Sequence, residues 1–364
     1  MSSAEIVDRA IAAIGRGQPD DYVIAPAKHA DELKANAPNL ARVLRTSKVE
    51  APMLQYQRLD AEAVDAQRTY KQVVVRANTA VLATAILSAG LLAIGLLASQ
   101  STSAEAAANT ATRSLSNLQV ALTVIGLAAL LTGSLASAWL TRVRAGRLLE
   151  TWMRTRAMAE QARLGYFEAV VDAPADEASD PPLALLALEY FRRYQLDVQI
   201  AFFTRRRMDH RKSAETTVTL ASLAAVPASL ATAAGGVIGA IGDIRWLPLA
   251  ALGSVGAALA FFAASREAVT GDSATAERYG ATLSKLELVR GRLDEVRSAA
   301  VAGQPTTIVK DFVKLVHDEL AREQETWLKE GEVARAGIAQ QLDAALKKAA
   351  EQAPDKDKGA APGA

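Results

Sequence analysis

The chain of 364 residues has no cysteine, three histidines and few aromatic residues, which make up 5% of its composition. Without cysteine it can form no disulfide framework, thiolate metal site or cysteine nucleophile. The histidines are scattered at His29, His210 and His317, so a metal site built from histidines is not expected. We predict that His210 is a surface member of a basic run and that His317 stands at a polar helix position. Net charge is also nearly absent, since 41 basic residues are matched by 40 acidic ones. We therefore expect no direct binding of duplex DNA.

The sequence also contains no glycine-rich phosphate loop, no paired zinc-ligand motif and no serine elbow. Its glycine cluster, AAGGVIGAIG at 233–242, lies in an apolar stretch without a preceding strand and therefore fails as a dinucleotide fingerprint. Small residues spaced four apart instead let membrane helices approach closely. We assign helix packing to Gly133, Gly235 and Gly239, and we predict no catalytic residue, no bound metal or cofactor and no enzymatic activity.

Half of the residues are hydrophobic, and four long stretches carry no charge at all: 77–104, 114–141, 216–242 and 246–265. A helix of about 20 apolar residues spans the hydrocarbon core of a membrane, because all of its backbone groups bond within the segment. Buried helices of a soluble protein rarely avoid charge over such lengths. We predict an all-α membrane protein with four transmembrane helices in two hairpins, near 79–99, 118–140, 217–241 and 246–264.

Loop charges orient the predicted spans. Arginine and lysine cluster before the first span, after the second and before the third, whereas each hairpin loop holds one acidic and one basic residue. Cationic loops stay on the cytoplasmic side of a membrane. We therefore expect both termini and all the long polar helices to be cytosolic. Trp139 and Trp246 lie near span ends, where interfacial aromatic rings are expected.

The chain follows one plan twice: a polar helix, an apolar hairpin and a polar return helix. The entering segments, 54–80 and 188–217, both begin with Leu, then an acid or amide, then Tyr. We divide the chain into an N-terminal cytosolic helical segment (1–53), a first unit (54–171), a linker (172–182), a second unit (183–351) and a disordered tail (352–364). Two cytosolic helices, separated at residues 303–305, are expected after residue 266.

The predicted spans contain no Asp, Glu, Lys, Arg or His, which argues against a pump or an ion-coupled transporter. Hydroxyl groups occur instead on one broad face of the third span, at Thr219, Ser222, Ser229 and Thr232. Two interpretations are open. The hydroxyls bond to the backbone of their own helix, or they form the weakly polar wall of a pore in an oligomer.

Basic residues cluster where the predicted spans enter the cytosol. They are interpreted either as anchors that contact anionic lipid headgroups or as a phosphate-binding patch in which arginine forks bind a nucleotide. The residues concerned are Arg142, Arg144, Arg147, Arg205, Arg206, Arg207, Arg211 and Lys212.

Residues 188–330 resemble the SLATT family, bacterial two-span effector modules associated with second-messenger and nucleotide-sensing conflict systems. The resemblance rests on Tyr190, Arg193, Gln195, the Phe202-Phe203 pair and the following arginine run, and on Glu323 and Trp327 in FVKLVHDELAREQETW (312–327). The family unit has two spans, whereas this chain is predicted to have four, in a duplicated form. No fused sensor domain is visible in the sequence.

The resemblance implies a homo-oligomeric effector of bacterial anti-phage defence, located in the inner membrane, that forms a gated pore or otherwise permeabilises the membrane. The implied partners are the lipid bilayer, further copies of the chain, and a nucleotide second messenger or a nucleotidyltransferase-type protein. The alternative function is that of a structural membrane protein that recruits cytosolic partners through its long helices.

Overall fold

The computed structural model describes residues 2–18, 21–104, 111–145, 147–173, 180–241, 247–303 and 307–352. Within these residues the protein is all-α, and no strand is present. The helices are α1 (Ser3–Ile14), α2 (Pro26–Leu33), α3 (Pro38–Val43), α4 (Ser47–Ala104), α5 (Ala111–Ala145), α6 (Leu148–Val171), α7 (Leu183–Phe191), α8 (Asp197–Ile241), α9 (Leu247–Thr270), α10 (Asp272–Arg290), α11 (Leu293–Val301) and α12 (Thr307–Gln352). A π-helical turn, Arg192–Leu196, joins α7 to α8.

Three helical stretches are long and apolar enough to cross a membrane: Ser47–Leu91, Gln119–Trp139 and Leu183–Ile238. The fourth predicted span falls in α9, whose recognised apolar part is the shorter Val255–Ala264. Trp246, where that span was expected to begin, lies outside the described residues, as does the predicted tail from residue 353 onward. The long apolar helices are consistent with a membrane protein.

The surface of α5 shows why these helices suit lipid better than water. Only 6% of its apolar window is buried inside the chain. Val120, Val124, Leu127 and Leu131 repeat on one side of the helix and are all exposed. An exposed apolar patch of this kind is costly in water, because removing apolar surface from water is the main driving force of folding. A hydrocarbon environment removes that cost.

The apolar parts of four helices form a single row, which we call the apolar layer. Its order is α5, α4, α9, α8, because α4 packs against both α5 and α9, and α9 packs against α8. In the described part of the chain α5 and α8 stand at the two ends of this row and do not pack against each other. The layer is therefore open and encloses no channel by itself.

The remaining helices form a polar body with its own hydrophobic core. The core is centred on α7, whose residues from Leu185 to Phe191 are buried almost without interruption. Aromatic rings from α6, such as those of Tyr166 and Phe167, pack against α7 and are fully buried. Helices α1, α3, α6, α11 and α12 all contact α7. A continuous apolar run that is buried on every side identifies α7 as the central element of the body.

The two hairpins follow the same plan. In the first, α4 and α5 are followed by a return helix, α6, which packs back along α4. In the second, α8 and α9 are followed by a return helix, α10, which packs back along α8. One residue in the left-handed conformation makes the bend in each case, Arg147 with φ 46° and Gly271 with φ 55°. Each hairpin is thus held by a helix that continues its second arm.

Two helices were predicted after residue 266, but the structure contains three, α10, α11 and α12, after the end of α9. The left-handed bend at Gly271 ends α9, and a break at Gly291 separates α10 from α11 before α12 begins at Thr307. The prediction was wrong because it treated 266–302 as one helix. Glycine adopts positive φ without steric cost, so Gly271 lets the chain turn back onto α8.

Candidate functional site

The candidate functional site lies where the hairpins leave the apolar layer and enter the polar body. At the first hairpin, two arginines from different helices converge on one indole ring. The guanidinium carbon of Arg76, on α4, lies 5.2 Å from the centre of the Trp139 ring. That of Arg142, on α5, lies 6.0 Å from the same centre. Such cation–π contacts stabilise the cations electrostatically and fix their position.

The second hairpin has a different arrangement at the same level. The carboxylate of Asp272, the first residue of α10, accepts hydrogen bonds from Ser213 on α8 and pairs with His210 Nδ1 at 2.6 Å. Arg266, on α9, donates to Ser213 Oγ at 3.1 Å. Asp272 is 5% exposed, so this cluster joins α8, α9 and α10 in a largely dehydrated environment. His210, expected as a surface member of the basic run, is instead half-buried.

Hydrogen bonds from neighbouring residues keep the Asp272 carboxyl in its charged form. Burial acts to raise the pKa of this carboxyl, but hydrogen bonds from Ser213, His210 and Thr270 outweigh it, so the pKa is lowered. The carboxylate also stands in the first turn of α10, where the helix dipole favours negative charge. The second hairpin therefore carries an internal anion at its boundary.

The π-helical turn is held by a buried charge network. Glu189 is 0% exposed. It accepts hydrogen bonds from Arg192 Nε at 2.6 Å and from Arg297 Nε at 2.6 Å. Arg192 continues to Asp197 Oδ2 at 2.6 Å. A buried charge of this kind is tolerated because both carboxylate oxygens accept hydrogen bonds from arginines, and the network fixes the helix that leads into the apolar layer.

Residues that carry the family resemblance are buried in the same region. Tyr190 Oη bonds to both His29 Nδ1 and Tyr166 Oη, at 2.7 Å each. Arg193 Nε donates to Asp21 Oδ2 at 2.8 Å. Gln195 Oε1 accepts from an arginine of α6, Arg163, at 2.7 Å. These side chains fasten α7 and the π-helical turn to the N-terminal helices and to α6, so their direct role is structural.

Helix α12 bridges the return helices of both hairpins. Its Trp327 ring packs edge-on against Trp152 of α6, with centres 5.4 Å apart, and Trp152 stacks on Tyr70 of α4. Its Glu323 accepts a hydrogen bond from Arg278 Nε of α10 at 3.2 Å. Burial raises the pKa of Glu323, although Arg278 opposes the effect. A charged cleft of about 420 Å³ between α10 and α12 includes both of these residues.

His317, expected at a polar helix position, is 4% exposed. Its Nδ1 lies 3.1 Å from Glu168 Oε1, and its ring packs against Phe191. Burial lowers the pKa of His317, with Glu168 opposing that effect. Each histidine is therefore part of helix packing, and among the described residues no cluster of His, Asp and Glu could hold a metal ion.

The predicted anion-binding residues lie on the outside of the helices. Arg206 pairs with Asp209 at 3.7 Å and Arg211 with Glu215 at 3.1 Å, each along its own helix. The side chain of Arg207 covers Gly280 of α10. Exposed positions are also found for Arg142, Arg147, Arg205 and Lys212, whereas the side chain of Arg144 lies outside the described residues. The structure does not bring these residues into one pocket.

The predicted pore-facing hydroxyls all stand on exposed positions of α8, and each donates to a carbonyl one turn earlier in its own helix. The acceptors are Glu215 for Thr219, Val218 for Ser222, Ala225 for Ser229 and Ala228 for Thr232, at 2.8–3.0 Å. The first of the two interpretations therefore describes the single chain. Their exposure leaves this face free for the second interpretation when several chains assemble.

Of the glycines assigned to helix packing, Gly133 lies between two helices of the chain, whereas Gly235 does not. Gly133 faces Thr84 of α4, and a Cβ atom at Gly133 would lie 3.5 Å from Thr84 Cγ2. Gly235 has open space beside it in the single chain, so its assignment to helix packing stays a prediction, and the surroundings of Gly239 lie outside the described residues. The close approach between α8 and α9 occurs at Gly256, where a Cβ would stand 2.7 Å from the Ala224 carbonyl.

Sequence reasoning missed Glu189, Asp272 and the pairing of Arg76 with Trp139. A signal existed for two of them. Glu189 is the single charge in the apolar run LALLALEYF, and Asp272 follows a glycine at the start of a helix. No protein-family model matches the chain, and no curated protein or solved structure matches it significantly. The resemblance to the SLATT family therefore stays a prediction.

Proposed function

We propose that the chain crosses the bacterial inner membrane four times, in two hairpins, with the polar body and both termini in the cytosol. In this proposal several copies assemble into a gated pore, or otherwise permeabilise the membrane, in response to a nucleotide-type signal or a protein partner. The polar body receives the signal and the apolar layer responds. The activity is that of a defence effector and involves no covalent chemistry.

The observation that carries the proposal is the open row of apolar helices. A row that ends at α5 and α8 encloses no water path, so a pore requires the edges of several copies to meet. Both edges present large apolar residues, such as Leu223 on α8 and Leu127 on α5, and both carry exposed hydroxyls, among them Ser222 and Ser229 on α8. Large apolar side chains suit lipid, and small hydroxyl-bearing ones suit helix contacts or a weakly polar lumen.

The continuity of the helices supports a link between signal and pore. Helix α4 extends without interruption from the polar body into the apolar layer. The stretch from Leu183 to Ile238 is likewise one continuous helix through the π-helical turn. Packed helices shift as rigid elements, so a displacement of α7 in the polar body moves the second hairpin directly.

The nucleotide part of the proposal rests on the basic run of α8. Arg205 and Lys212 are exposed, and in the described part of the chain neither forms an ion pair. Free guanidinium and ammonium groups are available to phosphate oxygens. Reversing the charge of both residues should abolish nucleotide binding in equilibrium dialysis while membrane insertion is retained. Unchanged binding would remove this run from the sensing role.

Conductance in planar lipid bilayers tests the pore. Purified chain, with the product of its genomic neighbours added as the signal, is compared under the same conditions with the double variant Ser222→Leu and Ser229→Leu, which fills the α8 edge with large apolar groups. The matched control is Thr123→Leu and Ser134→Leu, because these α5 hydroxyls are also exposed and bond to their own helix at 2.8 Å. We expect conductance to fall in the α8 variant and to persist in the control. Equal conductance in all three would remove the α8 face from the pore.

A scaffolding role is the second candidate, and exposed apolar residues on the polar body favour it. Leu288 on α10 is 77% exposed and Leu54 on α4 is 54% exposed. Residues of this kind supply contact area for a protein partner. In that case the chain would recruit a partner to the membrane without conducting ions, and bilayers would stay electrically silent under every condition.

A further inference from the structure

Two guanidinium groups at the boundary of the first hairpin have no carboxylate partner among the described residues. Arg76 and Arg142 stand over one ring, that of Trp139, at 5.2 and 6.0 Å from its centre. Within the described residues neither forms an ion pair with a carboxylate. Most arginines of the polar body do have such partners, as Arg156 has Asp60 at 2.8 Å. Two unneutralised cations fixed on one ring are stabilised when an anion binds beside them.

At the same level, the second hairpin contains an anion of its own. There Asp272 supplies a carboxylate to the cluster of His210, Ser213 and Arg266. The first hairpin has the same bend, at Arg147, but it has no equivalent buried acid among the described residues. Any anion that balances Arg76 and Arg142 therefore comes from outside the described residues.

We propose that Arg76, Trp139 and Arg142 form a binding site for the phosphate headgroup of an anionic phospholipid. The position favours a lipid over a soluble phosphate, because the apolar stretch Gln119–Trp139 ends at the ring itself. An indole ring at the end of such a stretch lies at headgroup depth. Guanidinium forks bind phosphate oxygens bidentately, and basic pockets between membrane helices bind anionic headgroups.

The site goes beyond the proposed pore, since it assigns a lipid requirement to one hairpin and not to the other. A lipid held by α4 and α5 together fixes the first hairpin at its base. Because α4 also packs against α9, the bound headgroup steadies the middle of the apolar layer. The second hairpin, whose cluster contains its own carboxylate, does not depend on the same lipid.

Native mass spectrometry of the full-length chain in detergent tests the proposal, with phosphatidylglycerol and phosphatidylcholine added in competition. We expect the wild type to retain phosphatidylglycerol preferentially, and the double variant Arg76→Gln and Arg142→Gln to lose that preference by roughly tenfold. The matched control, Arg68→Gln and Lys71→Gln, removes the same charge from two exposed residues of α4 and should stay within about twofold of wild type.

A second variant, Trp139→Leu, keeps both charges and removes the ring that positions them, and it should weaken the preference in the same direction. Circular dichroism checks that each variant keeps its helical content. The proposal is overturned if the control loses as much preference as the arginine variant, or if Trp139→Leu leaves the preference intact. Displacement of the lipid by soluble glycerol phosphate would equally overturn it, because the ligand would then be a free phosphate.

Discussion

The two hairpins share one plan but complete their boundaries in different ways. In the second, Asp272 places an anion inside the protein, where Ser213 and His210 hold it in its charged form. In the first, Arg76 and Arg142 contact the Trp139 ring, and within the described residues neither pairs with a carboxylate. The same helical arrangement is therefore stabilised from within in one hairpin and by its environment in the other.

The left-handed bends of the two hairpins also differ in how well their residues suit that conformation. Gly271 reaches the left-handed conformation without steric cost, whereas Arg147 reaches it with a side chain attached. Helix α12 also contacts the hairpins differently, because its contact with α6 includes two packed indole rings besides the pair of His317 and Glu168, whereas its contact with α10 includes the ion pair of Glu323 and Arg278. The difference indicates that the second hairpin is the more self-contained of the two.

Removing the internal anion should have the largest effect. Asp272→Ala leaves His210 and Ser213 without their shared acceptor in a dehydrated site, and it frees the Ser213 hydroxyl that accepts from Arg266. We expect a loss of about 2–4 kcal/mol in the free energy of unfolding, measured by thermal unfolding in detergent micelles. Asp209→Ala, which removes an exposed acid from α8, the helix of His210 and Ser213, should change it by less than about 0.5 kcal/mol. Equal losses would show that the cluster has no special role.

Truncating the aromatic contact of α12 should have the next largest effect. Trp327→Ala removes the ring that packs against Trp152, and we expect a loss of about 1–2 kcal/mol. The neighbouring Thr326→Ala serves as control, since the Thr326 hydroxyl is exposed and bonds to its own helix. Limited proteolysis within α12, followed over time, gives an independent measure. Faster cleavage in Trp327→Ala alone is expected, and similar rates would contradict the bridging role.

The two bends should respond in opposite directions to exchanging their residues. Gly271→Ala places a Cβ at a positive φ and should cost about 1 kcal/mol, whereas Arg147→Gly relieves such a Cβ and should gain roughly 0.5–1 kcal/mol. Denaturation midpoints of the two variants against wild type provide the measurement. A loss of stability in both would mean that the Arg147 side chain makes contacts that outweigh its backbone strain.

The smallest effect expected is a pH dependence at the ion pair between α10 and α12. Burial raises the pKa of Glu323, so in the window between its ordinary pKa, about 4.5, and its folded value, the folded state binds more protons than the unfolded state. Its contribution to stability therefore falls as pH rises through this window. Glu323→Gln should remove that slope, by less than about 1 kcal/mol in total. A variant curve parallel to wild type would contradict the assignment.

Much of the helical architecture could be predicted from the sequence. Long uncharged stretches predicted apolar helices, and α4, α5 and α8 are long and apolar enough to cross a membrane. The repeated plan was also visible, because Tyr56 and Tyr190 mark the two entering segments and both are buried. Such features depend on local composition and periodicity, which the chain carries in every window.

The boundary residues could not be predicted in the same way. His210 was read as exposed because it stands in a basic run, yet its ring meets an acid 62 residues later in the chain. Arg76 and Trp139 are similarly distant in sequence and meet through the packing of α4 on α5. Gly235 belongs to a spacing typical of helix packing, but the chain packs α8 through another face. Tertiary packing decides such contacts, and a single sequence does not encode it locally.

The most direct test of the proposed function is membrane potential and dye entry in bacteria that express the chain inducibly, alone and together with its genomic neighbours. We predict depolarisation and dye entry when a neighbour or its product supplies the signal, and an intact membrane without it. The Ser222→Leu and Ser229→Leu variant should stay silent in both conditions. Membrane potential that never changes, with the protein present in the membrane and its neighbours expressed, would contradict the pore and leave the scaffolding role.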